Sequence, residues 1–227
     1  MCGRFTIRTL ASDIARQFGL LTVDELRPRY NVAPTQSVIA IRQREAPAGR
    51  ELVELRWGLV PSWADDPSIG SRMINARSET VATKPAYREA YRQRRCLIPA
   101  DGFYEWDGYG RNKQPFFIYL RNETPFAFAG LWETWSRGSQ RLETCTIITI
   151  AANDLLRSLH ERMPVIVDPM DYDAWLDPRE HDHERLARLM QTYPEGEMRT
   201  RPVSRWVNSA THEGPECLAP PESRLLF

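Results

Sequence analysis

Lysine is nearly absent from this 227-residue chain: of its 30 basic residues only Lys84 and Lys113 are lysine, so 28 are arginine. Arginine suits phosphate, because its planar fork donates two hydrogen bonds at once, although GC-rich codon usage accounts for most of these residues. Thirty acidic residues bring the formal net charge to zero, which argues against indiscriminate clinging to polyanions. No apolar run approaches the roughly 18 residues that cross a membrane, and no charged-then-apolar export segment opens the chain. A cytoplasmic protein is therefore expected. The four cysteines, Cys2, Cys96, Cys145 and Cys217, form no C-x-x-C pair and no disulfide-dense spacing, so reduced thiols follow. There is no glycine-rich phosphate loop and no internal repeat. His181-Asp182-His183 has no cysteine near it and only common carboxylates around it, so neither a metal centre nor a cofactor is expected.

What is present reads as one folded unit. Leu10, Ile14 and Phe18 recur at fours and predict a short helix over 9–18, stopped by Gly19. Ser37–Ile41 and Leu52–Leu59 read as a strand hairpin. Lys84–Arg95 reads as a helix whose basic end at Arg92, Arg94 and Arg95 is solvated. An apolar strand follows from Arg95 and arrives at Glu105. Residues 114–120, 125–135 and 143–151 are three further strands, with Asn153 as the N-cap of a short helix over 154–159. Val165–Val167 is a strand, 171–176 and 184–193 are helical, and 201–207 is a returning strand before a flexible tail expected from about 212 to 227.

The chemistry concentrates at the front. Methionine before a small residue is the pattern from which an initiator is trimmed, so a mature chain beginning at Cys2 is expected. An α-amine with a pKa near 7.7–8.0 and a thiol near 8.5 would then share one residue. The amine can form an imine with an aldehyde, and the sulfur can close a five-membered thiazolidine. In Asn75-Ala76-Arg77 an extended backbone points Asn75 and Arg77 to one face. Glu105 lies between Tyr104 and Trp106, where desolvation raises a carboxyl pKa toward proton-transfer use near pH 7. His160 sits at a helix exit ahead of Arg162 and Pro164. Trp57 and Trp63 flank a glycine and a proline; such a pair is usually core, although Trp63 could be an exposed stacking platform.

Met1-Cys2-Gly3-Arg4-Phe5, Arg29 to Pro34, Trp57 to Trp63, Ile74 to Arg77, Pro99 to Trp106 and His160 to Pro164 together resemble the successive motifs of the SOS-response-associated peptidase family, whose members process abasic sites. The resemblance covers nearly the whole chain. It implies an α+β fold: a single domain on a curved, barrel-like, mainly antiparallel sheet with short flanking helices. It implies a groove for single-stranded DNA containing abasic sites, and a covalent bond from Cys2 to the ring-opened deoxyribose. By the same resemblance Asn75, Glu105 and His160 surround the nucleophile, while Arg4, Arg77 and Arg162 hold flanking phosphates. Ala64 stands where some members carry a second tryptophan. The chemistry then assigns His160 the proton for sugar opening, Glu105 the proton traffic of the amine, and Asn75 the positioning of amine or sugar oxygen. Strand cleavage by β-elimination and self-removal of Met1 are expected side activities. A monomer is expected, gathering on the nucleoid at damaged DNA, with replication-fork proteins as partners. The rival readings are an N-terminal-nucleophile amidohydrolase, a peptidase using Cys2, and a noncatalytic single-strand binding module.

Overall fold

The computed structural model describes residues 2–43, 49–108, 110 and 113–221. Its strands are β1 (Phe5–Ile7), β2 (Arg29–Val32), β3 (Ser37–Gln43), β4 (Arg50–Trp57), β5 (Asn75–Arg77), β6 (Arg95–Ala100) and β7 (Gly102–Asp107), followed by β8 (Gln114–Leu120), β9 (Phe126–Arg137), β10 (Gln140–Ala151), β11 (Arg162–Pro164), β12 (Ile166–Val167) and β13 (Met198–Pro202). Short helices lie between them: α1 (Ala11–Phe18), α2 (Arg88–Gln93), α3 (Asp154–Arg157), α4 (Tyr172–Leu176) and α5 (His183–Arg188).

Five strands close a ring in the order β4-β3-β6-β9-β10, because β10 pairs with β9 on one side and with β4 on the other. The β4–β10 contact is parallel and the remaining ring pairs are antiparallel. A closed ring leaves no strand edge to satisfy, and side chains fill its interior. All six residues of β6 are buried. Opposite Cys96 the ring needs Gly130, since a Cβ there would lie 2.8 Å from the Cys96 sulfur. A second, open sheet runs β13-β8-β7-β1-β2. The α+β, barrel-based architecture expected from the sequence is the one observed.

Phe5 locks the two sheets together. It leaves β1 of the open sheet and packs edge-on against Trp57 of β4 at 5.4 Å and Phe128 of β9 at 5.7 Å. Burying an aromatic side chain of this size stabilises by ~2 kcal/mol or more, so the amino-terminal strand is held where the sheets meet.

Local rules hold where the signal is local. Gly19 ends α1 in the left-handed region at φ 65°, and Asn153 caps α3 by accepting from the Leu156 N–H at 3.1 Å. β3 and β4 form the expected hairpin. Three expectations are corrected. The strand entering Glu105 is broken at Asp101, where the chain leaves the barrel for the open sheet; the Asp101 N–H donates to the Thr6 carbonyl, and its carboxylate accepts from the Arg8 N–H and the Thr9 hydroxyl. The returning strand is 198–202, and Arg205–Asn208 turns as a 3-10 helix under a Ser204 cap. Arg95 is buried, not solvated: its guanidinium donates to the carbonyls of Trp175, Tyr91, Arg92, Asp177 and Glu180 and ties the ends of α2 and α4 together.

Residues 212–221 lie against the body, with Cys217 buried beside Tyr104, Phe117, Val203 and Val207. Residues 222–227 lie outside the described residues. Among those described, no helix is long and apolar enough to cross a membrane. Asp182 caps α5, and His183 stacks on Tyr91 at 5.9 Å.

Candidate active site

β1 lies beside β7, with Phe5 opposite Phe103, and the Tyr104 N–H donates to the Arg4 carbonyl at 3.0 Å. Running the register back two residues carries the chain's amino-terminal end alongside Glu105. On the other side, the Asn75 amide donates to the Cys2 carbonyl at 2.9 Å. Asn75 reaches this point because β5 pairs in parallel with β10, Asn75 standing opposite Ile147. Three chain segments far apart in sequence thus meet at the first residues.

Cys2 is fully buried. Burial raises its thiol well above the ordinary range, the Glu105 charge adds to the rise, and the Arg4 backbone N–H partly opposes it. Glu105 is 4% exposed. Burial pushes its carboxyl up to about 7, against the pull of the amino-terminal charge and of Lys113. The carboxyl is therefore poised near neutrality, where a group can both take and return a proton.

His160 follows α3 and is half-buried. Its Nδ1 accepts the Arg162 backbone N–H at 2.9 Å. A ring nitrogen that accepts carries no proton, so the neutral imidazole holds its hydrogen on Nε2. Burial, joined by the amino-terminal charge, lowers the pKa of the ring. His160 is accordingly a neutral Nε2–H donor at pH 7. Asn75 supplies the complement: its Oδ1 is buried and has no hydrogen-bond partner among the described residues. An unmet buried acceptor of this kind costs on the order of 1–3 kcal/mol until a donor arrives.

The three arginines occupy three different situations. Arg77 is exposed on β5. Arg162 forms a fork-to-fork pair with Glu79, at 2.6 and 2.9 Å. Arg4 turns inward, donating to Asn31 Oδ1 at 2.8 Å and to the Val207 carbonyl at 3.0 Å, with its guanidinium 5.9 Å from the Trp106 ring. Lys113 covers the same ring at 4.4 Å. The buried Asn31 anchors this corner by donating to the carbonyls of Ser209 and His212.

Sequence reasoning named neither Asn31, Lys113 nor Glu79 as part of the site. Asn31 and Glu79 stand in or beside quoted motifs, and that proximity was the signal available. Trp57 is core, its indole N–H donating to the Ile74 carbonyl, whereas Trp63 is 61% exposed. Gly58 is required between them: at φ 130°, a Cβ would come 2.5 Å from the Gly70 carbonyl oxygen.

With this geometry in hand, comparison with known proteins gives concordant results. Residues 1–210 match the family model described as SOS response associated peptidase (SRAP). The chain is 43% identical to the abasic site processing protein YoqW of Bacillus subtilis, over 96% of this chain and 99% of that protein. It is 36% identical to the abasic site processing protein HMCES of Gallus gallus, over 86% of this chain and 67% of that protein. A crystal structure of a Bacteroides thetaiotaomicron protein superposes with a TM-score of 0.85 at 25% identity, covering 96% and 99% of the two chains.

Proposed function

The chain belongs to the SOS response associated peptidase family, and on that premise we propose that it processes abasic sites by covalent capture on Cys2 in single-stranded DNA. The observation that carries this reading is the meeting of the amino-terminal end with Asn75, Glu105 and His160. The names of its relatives, abasic site processing proteins, support the substrate class.

Loss of Met1 frees the α-amine of Cys2. His160 donates a hydrogen bond from Nε2 to the ring oxygen of the closed sugar; as the C–O bond breaks that oxygen takes up a proton from water and the anomeric hydroxyl gives its own to water, leaving the aldehyde. The amine attacks the aldehyde carbon, and Glu105 takes the proton the nitrogen loses. The alkoxide takes up a proton from water, the carbinolamine hydroxyl leaves as water with the proton returned by Glu105, and the iminium nitrogen gives its remaining proton to water, giving the imine. Asn75 Oδ1 accepts a hydrogen bond from the amine or from a sugar hydroxyl, which fixes the approach. The buried thiol is too basic to be the first nucleophile at pH 7. It adds second: the S–C bond forms as the C=N π bond breaks, the thiol proton passes to Glu105, and the nitrogen gains a proton. The product is a thiazolidine. If the imine loses a proton from the neighbouring sugar carbon before sulfur adds, β-elimination cleaves the strand.

The amidohydrolase rival would use the same amine and thiol, the thiol attacking an amide with the amine as base, and an adduct specific to an abasic strand is the outcome it does not give. The test is incubation with a single-stranded oligonucleotide carrying one abasic site, read on a denaturing gel. A heat- and detergent-resistant adduct, absent with intact DNA and absent from protein whose intact mass includes Met1, is the expected result. Equal adduct from Met1-bearing protein would sink the mechanism.

A further inference from the structure

Glu79 follows β5 in a turn stitched to the barrel, the Ser78 N–H donating to the Thr149 carbonyl and the Thr80 N–H to the Arg77 carbonyl. From there both carboxylate oxygens engage Arg162, one to Nη1 at 2.6 Å and one to Nη2 at 2.9 Å. Two parallel N–H donors meeting two oxygens is also the arrangement a guanidinium offers a phosphate. The Glu79 side chain is 51% exposed and that of Arg162 is 17% exposed. The carboxylate therefore stands on the solvent side of the cation, on the edge an incoming strand would need.

Arg162 does not depend on Glu79 for its place. Its Nη2 also donates to the Thr149 carbonyl, and its backbone pairs with Ala151 across β10–β11. Arg77, opposite Thr149 on the other flank of β10, has no such occupant among the described residues.

We propose that Glu79 is an internal anion seated in the phosphate position of Arg162, displaced when a DNA backbone enters, so that the protein's hold on undamaged single strands is kept low. This rests on the reading above that Arg162 receives a phosphate. A half-exposed ion pair stabilises little, so a strand fixed by the lesion chemistry displaces the carboxylate readily. A strand passing through meets a site already neutralised.

The test uses the full chain and an intact single-stranded oligonucleotide, with binding followed by fluorescence anisotropy across a salt series. Glu79→Gln and Glu79→Ala are expected to bind about three- to tenfold more tightly at low salt, with a log–log salt slope steeper by ~0.7, the increment of one added phosphate contact on a single strand. Glu161→Gln removes the same charge from the exposed neighbour of Arg162 and is expected to show a much smaller gain with no change of slope. In Glu79→Gln/Arg162→Ala the gain is expected to vanish. Weaker or unchanged binding in both Glu79 variants overturns the proposal, because the carboxylate then only positions Arg162. An equal gain in Glu161→Gln, or a gain that survives loss of Arg162, overturns it as well. The underlying reading fails separately: folded Arg162→Ala alone would bind intact and abasic strands as tightly as the parent, which removes the phosphate seat itself.

Discussion

Of the places where this molecule buries a cysteine completely, the barrel wall and the amino-terminal end differ in the polar groups beside the thiol. In the barrel wall, Cys96 and Cys145 flank β9 on β6 and β10, and Cys96 packs near Gly130 and Ile98. Burial raises both thiols, and their surroundings add little to oppose it. At the amino-terminal end Cys2 is equally buried, yet Glu105, the Arg4 N–H and the Asn75 amide attend it. Burial alone makes a thiol inert. What separates the two regions is the polar company: Asn75 of β5 and Glu105 of β7 lie beside the amino-terminal end, whose charge also reaches His160 after α3.

The comparison breaks most sharply on the cysteines themselves. Cys2→Ala is expected to lower the denaturation-resistant adduct by at least ~100-fold, leaving a weak imine adduct that borohydride traps. Cys96→Ala should cost about 1–2 kcal/mol of stability and nothing in crosslinking. Loss of adduct in the barrel variant would mean that the two thiols are not functionally distinct.

The next effect belongs to Glu105. Replacing it by glutamine is expected to slow adduct formation about 10²–10³-fold with intact-strand binding unchanged, as removal of a general acid–base does; an equal fall in binding would assign Glu105 to affinity. The same variant reports on stability. A carboxyl raised to about 7 in the fold holds its proton more tightly folded than unfolded. Its contribution is full below the unfolded pKa of about 4.3 and is lost as pH rises through about 7. Chemical denaturation should therefore show the parent losing about 3 kcal/mol relative to Glu105→Gln between pH 4 and pH 8. Parallel curves would mean that the carboxyl is not desolvated.

In the wall, Arg95→Ala should cost about 3 kcal/mol, because five carbonyls lose a charged donor. At this chain length that lowers Tm by about 6–12 °C, and a shift under 2 °C would show that water replaces the guanidinium freely. The smallest effect is at the barrel rim. Thr35 sits at φ 70° with its N–H donating to the Trp57 carbonyl, a conformation unfavourable for a β-branched residue. Thr35→Asn should raise stability by about 1 kcal/mol without changing adduct yield. A fall in yield would tie this strained turn to the site.

Legibility in the sequence followed the range of the interaction. Gly19, Asn153 and the β3–β4 hairpin were readable because a cap or a hairpin is decided by residues a few positions apart. The break at Asp101 was not readable, since its cause is Thr6 of β1 and Arg8 and Thr9 just after it, more than 90 positions away. Arg95 misled because a basic helix end is usually solvated, and only the return of α4 buries it. The candidate site residues were proposed from motifs, and their condition was not legible there. Nothing in the order of residues says that Arg77 is exposed, Arg162 paired and Arg4 turned inward.

By itself the sequence determined a covalent possibility, an amine and a thiol on residue 2 once Met1 is gone, because that depends on two adjacent positions and bond connectivity. The tertiary structure alone decided which protonation states surround that residue. Those states depend on desolvation and on charges a few ångströms away. Here burial and the Glu105 charge set the state of Cys2, and only the pairing of β1 with β7, with Asn75 of β5 on the other side, brings these groups to one place.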